Sequence, residues 1–150
     1  MKIFNKIIKV LLLLSFIIPS VYALEKNVIV ISDNIDITEL SKSDLENIFL
    51  GRKTFWSHGE RISISLSSQN PSALNQFLTD YIGQNKRRFK KFWLKKVFSG
   101  YGIAPKIFKN NEKALKFLKE HENSIIYMTV DDSQKLEGIK LINVDGKKYF

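Results

Sequence analysis

The class that this sequence predicts is α/β with a largely covered sheet, and three observations carry it. Val28-Ile29-Val30-Ile31 is a short, continuously apolar, β-branched run. Arg61 to Leu66 alternates polar and apolar residues. The stretches that follow these runs repeat their apolar residues at helical spacing.

Taken in order, the first segment reads as an export signal over residues 1–23. Lys2, Lys6 and Lys9 make a basic head without any acid, Val10 to Ile18 is an apolar core, and Pro19-Ser20 breaks it before Val21-Tyr22-Ala23. Small or modest residues then stand where a signal peptidase reads, so cleavage is expected after Ala23. The alternative is an uncleaved anchor, but the apolar run falls short of the roughly 18 to 20 residues that span a bilayer.

Removing 23 of the 150 residues leaves 127, enough for one domain with its own core over 24–150 and hardly for two. Without the three signal lysines the 24 basic residues become 21 against 15 acidic ones, a net charge of +6. A basic surface favours anionic partners, whether small oxyanions, anionic lipid or nucleic acid, and charge by itself does not choose among them. The chain has no cysteine, which excludes disulfides, thiolate metal sites and thiol catalysis.

Val28 to Ile31 predicts a strand buried on both faces. Ser41 is placed to cap a helix with Asp44 in its first turn, a stripe of Leu45, Ile48 and Phe49, and Gly51 as its end. Ser57-His58-Gly59-Glu60 reads as a turn, Arg61 to Leu66 as a strand with one buried face, and Ser67 to Ser72 as a polar loop. Ser72 is read as the N-cap of a helix over Ala73 to Ile82, striped by Leu74, Phe77, Leu78 and Tyr81. A further helix over Lys86 to Phe98 puts Phe89, Phe92, Trp93 and Val97 on one face and Lys90, Lys91, Lys95 and Lys96 elsewhere. Asn111 to His121 reads as a helix, and Ser124 to Val130 and Ile139 to Val144 as strands. The chain contains no internal repeat or low-complexity linker.

Several segments together resemble a known family. Ile48-Phe49-Leu50-Gly51-Arg52-Lys53-Thr54-Phe55-Trp56 is similar to the I-F-L-G-x-x-T-x-W segment of phosphate-binding proteins of ABC importers. Phe92-Trp93, then Val97-Phe98-Ser99-Gly100-Tyr101-Gly102 with Pro105, resembles the F/Y-W, F-x-G-x-G and P pattern of the small, exported, phosphate-binding-protein-like family. Ser124-Ile125-Ile126-Tyr127 resembles that family's S/A-I-G-Y strand. The resemblance runs from about Val28 to Val144 with its landmarks in the family's order. It implies a type-2 periplasmic-binding-protein fold, a mixed sheet flanked by helices, amounting to essentially one lobe plus crossing strands, and a periplasmic location.

It also implies a site. In the phosphate binders the loop after the corresponding strand resembles R-S-D-G-S-G-T, where helix N–H groups and hydroxyls hold the oxyanion. Here Ser68 stands at the arginine, Asn70 at the aspartate, Ser72 at the serine, Ala73 at the second glycine and Leu74 at the threonine, so only Ser72 is kept. Losing the arginine removes a bidentate cation, and the backbone N–H groups of Ser72, Ala73 and Leu74 become the main anion-binding feature.

Other features are read as structural. Ser72 would cap a helix in any protein, and Trp56 and Trp93 sit among apolar neighbours as packing residues. The run Lys86 to Lys96 interleaves basic and aromatic residues, but its aromatics follow a core-facing stripe, which makes its lysines a solvated face. A membrane surface or acidic partner is the second reading of that face and nucleic acid the last. His58 and His121 lack the paired spacing of a metal site, and no nucleophile elbow is found. The expectation is therefore a non-catalytic binding module for a small oxyanion such as phosphate, without cofactor or metal. The alternative is an accessory protein that keeps the fold without a ligand and contacts an envelope or transporter protein.

Overall fold

The computed structural model describes residues 25–131 and 139–150. The signal expected over 1–23 lies outside the described residues. Ten elements follow in order: β1 (Lys26–Ile31), β2 (Glu39–Leu40), α1 (Lys42–Phe49), β3 (Ser63–Ser67), α2 (Pro71–Ile82), α3 (Lys86–Phe98), β4 (Lys106–Phe108), α4 (Asn111–Glu120), β5 (Ser124–Val130) and β6 (Lys140–Val144). The strands form one sheet in the order β2-β6-β1-β5-β3-β4. β1 runs antiparallel to both neighbours, β5 and β6, while β2 is parallel to β6, and β3 is parallel to β4 and β5. The sheet is thus mixed, with β1 as the strand of opposite direction.

Alternation along the strands divides the core in two. Ile29 and Ile31 of β1, Leu66 of β3 and Ile125 and Tyr127 of β5 face α1, α2 and α3, meeting Leu45, Phe49, Phe77 and Trp93. Val28 and Val30 of β1, with Ile126, Met128 and Val130 of β5, face α4 through Ala114 and Leu118. The continuously apolar run at residues 28–31 is explained by this: helices cover both sides of β1.

Local signals set the helix ends. Ser41 and Asp44 form a reciprocal capping box at the start of α1, and Gly51, at φ +61°, turns the chain away at its end. The start of α2 differs from expectation. Its N-cap is Asn70, whose side chain accepts from the Ala73 N–H, and the helix begins at Pro71. Proline is favoured at this first position because its missing N–H would have no helical partner there, so Ser72 lies inside the helix.

Two strands escape the periodicity reading, β2 with two residues and β4 with three, since neither is long enough to show an alternation. On α3 the buried residues are Phe89 and Trp93, Phe92 is half-buried, and Val97 is exposed rather than core-facing. Lys96 departs from the solvated face expected of it: its ammonium donates to the carbonyls of Leu50 (2.9 Å) and Gly51 (2.6 Å) at the end of α1. Trp56 and Trp93 are both buried, their indole N–H groups donating to the carbonyls of Asn123 and Phe49 at 3.0 Å each.

Candidate anion-binding pole

β3 and β4 are parallel neighbours, and each leads from its C-terminal end into a helix, α2 and α4 respectively. The two helix N-termini therefore arise at the same end of the sheet. Because β1 is antiparallel, its N-terminal residue Lys26 pairs with Val130 at the end of β5, and Glu25 comes to the same pole. In open α/β sheets this end, outside the C-termini of the parallel strands, is where ligands collect.

The two helix starts are joined by a chain of bonds. The Ser67 hydroxyl donates to Asn111 Oδ1 (2.7 Å), and Asn111 Nδ2 donates to the Thr129 carbonyl (2.6 Å). The Asn111 N–H donates to Gln69 Oε1 (3.1 Å), and the Gln69 N–H to the Ser67 hydroxyl (3.3 Å). Ser67 and Asn111 are buried, so these bonds satisfy groups that water does not reach. Asn110 caps α4 as Asn70 caps α2, accepting from the Lys113 N–H at 3.0 Å.

Ser68, Asn70, Ser72, Ala73 and Leu74 all fall in this loop and in the first turn of α2, but with different occupations. The Ser68 N–H and hydroxyl both donate to the Phe108 carbonyl, at 2.8 and 2.9 Å. Asn70 Oδ1 takes the Ala73 N–H at 3.0 Å, and the Asn70 carbonyl takes the Leu74 N–H at 3.0 Å. Leu74 is fully buried in the core. Ser72 is exposed, and among the described residues its N–H and hydroxyl have no partner. Of the three N–H groups expected to point at an anion, the turn itself uses two.

The sequence reading missed Glu25, whose carboxylate accepts from Asn70 Nδ2 at 2.7 Å and brings a negative charge to the mouth of the pole. Its neighbour Asn27 accepts the Tyr127 hydroxyl at 2.6 Å. Burial, and secondarily the Glu25 charge, hold that phenol well above its ordinary range. Nothing in the local sequence signals Glu25, because its position depends on β1 running opposite to β3. Gln69 and Asn111 were equally hidden, their partnership spanning two loops. Arg52 and Lys53, the two basic residues of the segment 48–56, pair with carboxylates of α1: Arg52 with Glu46 at 2.8 Å and Lys53 with Asp44 at 3.4 Å.

An open cavity of about 610 Å³ lies at the other end of β3 and β4, lined by Thr54, Arg61, Ser63, Tyr101, Ile103 and Lys106 among others. His58 Nε2 lies 3.1 Å from Asn123 Oδ1, and the His121 ring stacks on Phe117 at 3.9 Å between centroids. Among the described residues no group of three or more His, Cys, Asp or Glu converges as a metal site would require, and no helix is long and apolar enough to cross a membrane.

Neither a protein-family model nor a curated protein matches the sequence. Solved structures do match. PstS from Borrelia burgdorferi superposes with a TM-score of 0.58 at 14% identity, over 82% of this chain and 48% of that one. A putative phosphate ABC transporter substrate-binding protein with bound phosphate from Clostridium perfringens gives 0.56 at 17% identity, over 82% and 46%. An ABC-type phosphate transport receptor from Vibrio cholerae gives 0.55 at 15% identity, over 81% and 46%. What these matches define is the fold, which is PstS-like and α/β. The chain spans about half the length of the structures it matches, consistent with a single lobe.

Proposed function

We propose that the chain is a non-catalytic, solute-binding-type domain, exported to the periplasm as one unit over 24–150, whose pole between α2 and α4 takes a small oxyanion such as phosphate weakly. The observation that carries this reading is the convergence of two helix N-termini at one end of the sheet, joined through Gln69 and Asn111. The positive ends of two helix dipoles favour an anion there, and Ser72 offers an unused N–H and hydroxyl. The fold of the three matched proteins supports the assignment to the solute-binding type.

Weakness follows from the same residues. The Ala73 and Leu74 N–H groups already have acceptors, and the Glu25 carboxylate opposes a second negative charge. Calorimetry with phosphate and sulfate tests the reading, on the wild type, Ser72→Ala and Glu25→Gln. Removing the carboxylate is expected to tighten binding about fivefold, corresponding to about 1 kcal/mol between unit charges in a solvent-like dielectric. Ser72→Ala is expected to weaken it.

The Asn70–Glu25 bond at 2.7 Å favours a second reading, in which the pole is closed by its own carboxylate and the fold serves contacts with an envelope or transporter protein. No heat from either anion up to millimolar concentration, in wild type and Glu25→Gln alike, sinks the first reading and leaves the second.

A further inference from the structure

The helix α3 carries two faces that require different partners. Phe89 and Trp93 pack into the core, which accounts for one stripe. Leu94, Val97 and Phe98 follow the spacing i, i+3, i+4 on another, Tyr101 comes just past the helix end, and all four are exposed. Phe98 is 87% exposed, Tyr101 80% and the adjoining Ile103 73%; Tyr101 and Ile103 also border the open cavity at the N-terminal end of β3 and β4, while Phe98 is not among its lining residues. Scattered apolar residues are ordinary on a surface, but a continuous cluster of large ones marks an interaction site.

The backbone holds the cluster in place. The Gly100 N–H donates to the Val97 carbonyl and the Tyr101 N–H to the Lys96 carbonyl, both at 3.0 Å, with Gly100 at φ +76°. This is the double bond pattern of a Schellman C-cap, which fixes where Tyr101 leaves the helix.

Charge identifies the partner. α3 contains seven Lys and Arg residues and no carboxylate, and among the described residues none of the seven is ion-paired. Lys96 is turned inward, onto α1. On the outward side, Arg87, Lys90 and Lys91 precede Leu94 and Phe98 by helical spacing, so the first half of that face is basic and the second half apolar. Beside it, Arg88, Lys91 and Lys95 line a shallow depression with Phe92. A second copy of the chain brought to this face would oppose cation to cation, so the occupant is anionic.

We infer that this face of α3 rests on an anionic phospholipid surface, with Phe98, Tyr101 and Ile103 entering between headgroups and the basic half lying on their phosphates. Protruding apolar tips beside long cationic stems suit an interface that is apolar a few ångströms below an anionic layer. The inference stands apart from the anion-binding pole and does not depend on it.

The test uses the full chain, whose lack of cysteine allows a single one to be introduced. Ala104→Cys, beside Ile103 and exposed, carries an environment-sensitive fluorophore, and Lys116→Cys on α4, across the sheet, carries the control. With phosphatidylglycerol vesicles the label at 104 is expected to shift to the blue and to be quenched by a bilayer-embedded quencher, while the label at 116 is unchanged. The shift is expected to be absent with phosphatidylcholine and suppressed in about 1 M salt, where the Debye length is about 3 Å. Phe98→Ser with Tyr101→Ser is expected to reduce it several-fold, and Lys90→Gln with Lys91→Gln to reduce its salt sensitivity with every apolar anchor intact. The inference is overturned by no shift with phosphatidylglycerol, by an equal shift with phosphatidylcholine, or by equal shifts at both positions. A shift without vesicles that grows with protein concentration, or one produced by an acidic polypeptide but not by vesicles, overturns it as well.

Discussion

Trp93 occupies the space that a side chain at Gly51 would need: a β-carbon at residue 51 would lie 2.6 Å from Cη2 of the indole. The same ring crowds Gly102, where a β-carbon would lie 3.2 Å from Cζ3. Three landmarks of the family resemblance, the Gly51 turn, the Phe92-Trp93 pair and the Gly102 turn, are thus one packing unit locked by Lys96 on the carbonyls of Leu50 and Gly51. Gly51 also sits at φ +61°, a left-handed conformation that costs a residue with a side chain about 1–2 kcal/mol. Adding an overpacking cost of about 1–3 kcal/mol, Gly51→Ala is expected to destabilise by about 3 kcal/mol, read from denaturant unfolding. Lys96→Met is expected to cost about 2 kcal/mol, the usual worth of hydrogen bonds to a charged group.

At the start of α1 the Ser41 hydroxyl bonds the Asp44 carboxylate at 2.7 Å and accepts the Asp44 N–H at 3.0 Å. The Ser41 hydroxyl above all holds the Asp44 carboxyl below its ordinary value of 3.8, outweighing the opposing effect of burial with help from the Ser41 backbone N–H and the Lys53 charge. A depressed carboxyl stabilises the fold above its unfolded value and loses that contribution as pH falls through the folded one. Acid unfolding is therefore expected to steepen below about pH 4, and Ser41→Ala to flatten that part of the profile while costing about 1 kcal/mol at neutral pH. Thermal melts of the two proteins from pH 2 to pH 7 check it.

Tyr127 supplies the alkaline counterpart. Its ring stacks on Phe77 at 4.0 Å between centroids, and its hydroxyl donates to Asn27 at 2.6 Å. Burial, then the Glu25 charge, raise its pKa above the ordinary 10.0. The folded state keeps the phenol protonated while the unfolded chain releases the proton, so stability is full below about pH 10 and declines above it. Tyr127→Phe is expected to lose about 1 kcal/mol at neutral pH and to show a shallower alkaline decline, measured by denaturant midpoints at pH 8 to 11.

How far the sequence could be read depends on where each signal lives. The stripe of Leu45, Ile48 and Phe49, the cap at Ser41 and the doubly buried run at residues 28–31 are local patterns, and the structure carries each of them as read. β2 and β4 were illegible because strands of two and three residues have no period to detect. The direction of β1, and with it the arrival of Glu25 at Asn70, is a property of pairing and leaves no trace in the residues around 25. Within the candidate pole, the family pattern points to the loop after β3 but does not tell whether its N–H groups point outward or inward. That depended on which residue capped α2, and Pro71 was the overlooked signal: proline belongs one place after a cap, which puts the cap at Asn70.

That shift of two residues separates the cap from the residue proposed to meet an anion, and two variants distinguish them. Asn70 Oδ1 holds the Ala73 N–H, while Ser72 is exposed with its N–H and hydroxyl open. Asn70→Ala removes the cap and is expected to destabilise by about 1 kcal/mol. It also frees the Ala73 N–H and releases Glu25, so the anion response is expected to change along with stability. Ser72→Ala touches neither cap nor core, and its stability is expected to stay within about 0.5 kcal/mol of wild type. Any loss of anion binding in Ser72→Ala then reports on the ligand alone. Were Ser72→Ala to unfold as readily as Asn70→Ala, the assignment of the cap to Asn70 would be wrong, and chemical denaturation of the two variants side by side decides it.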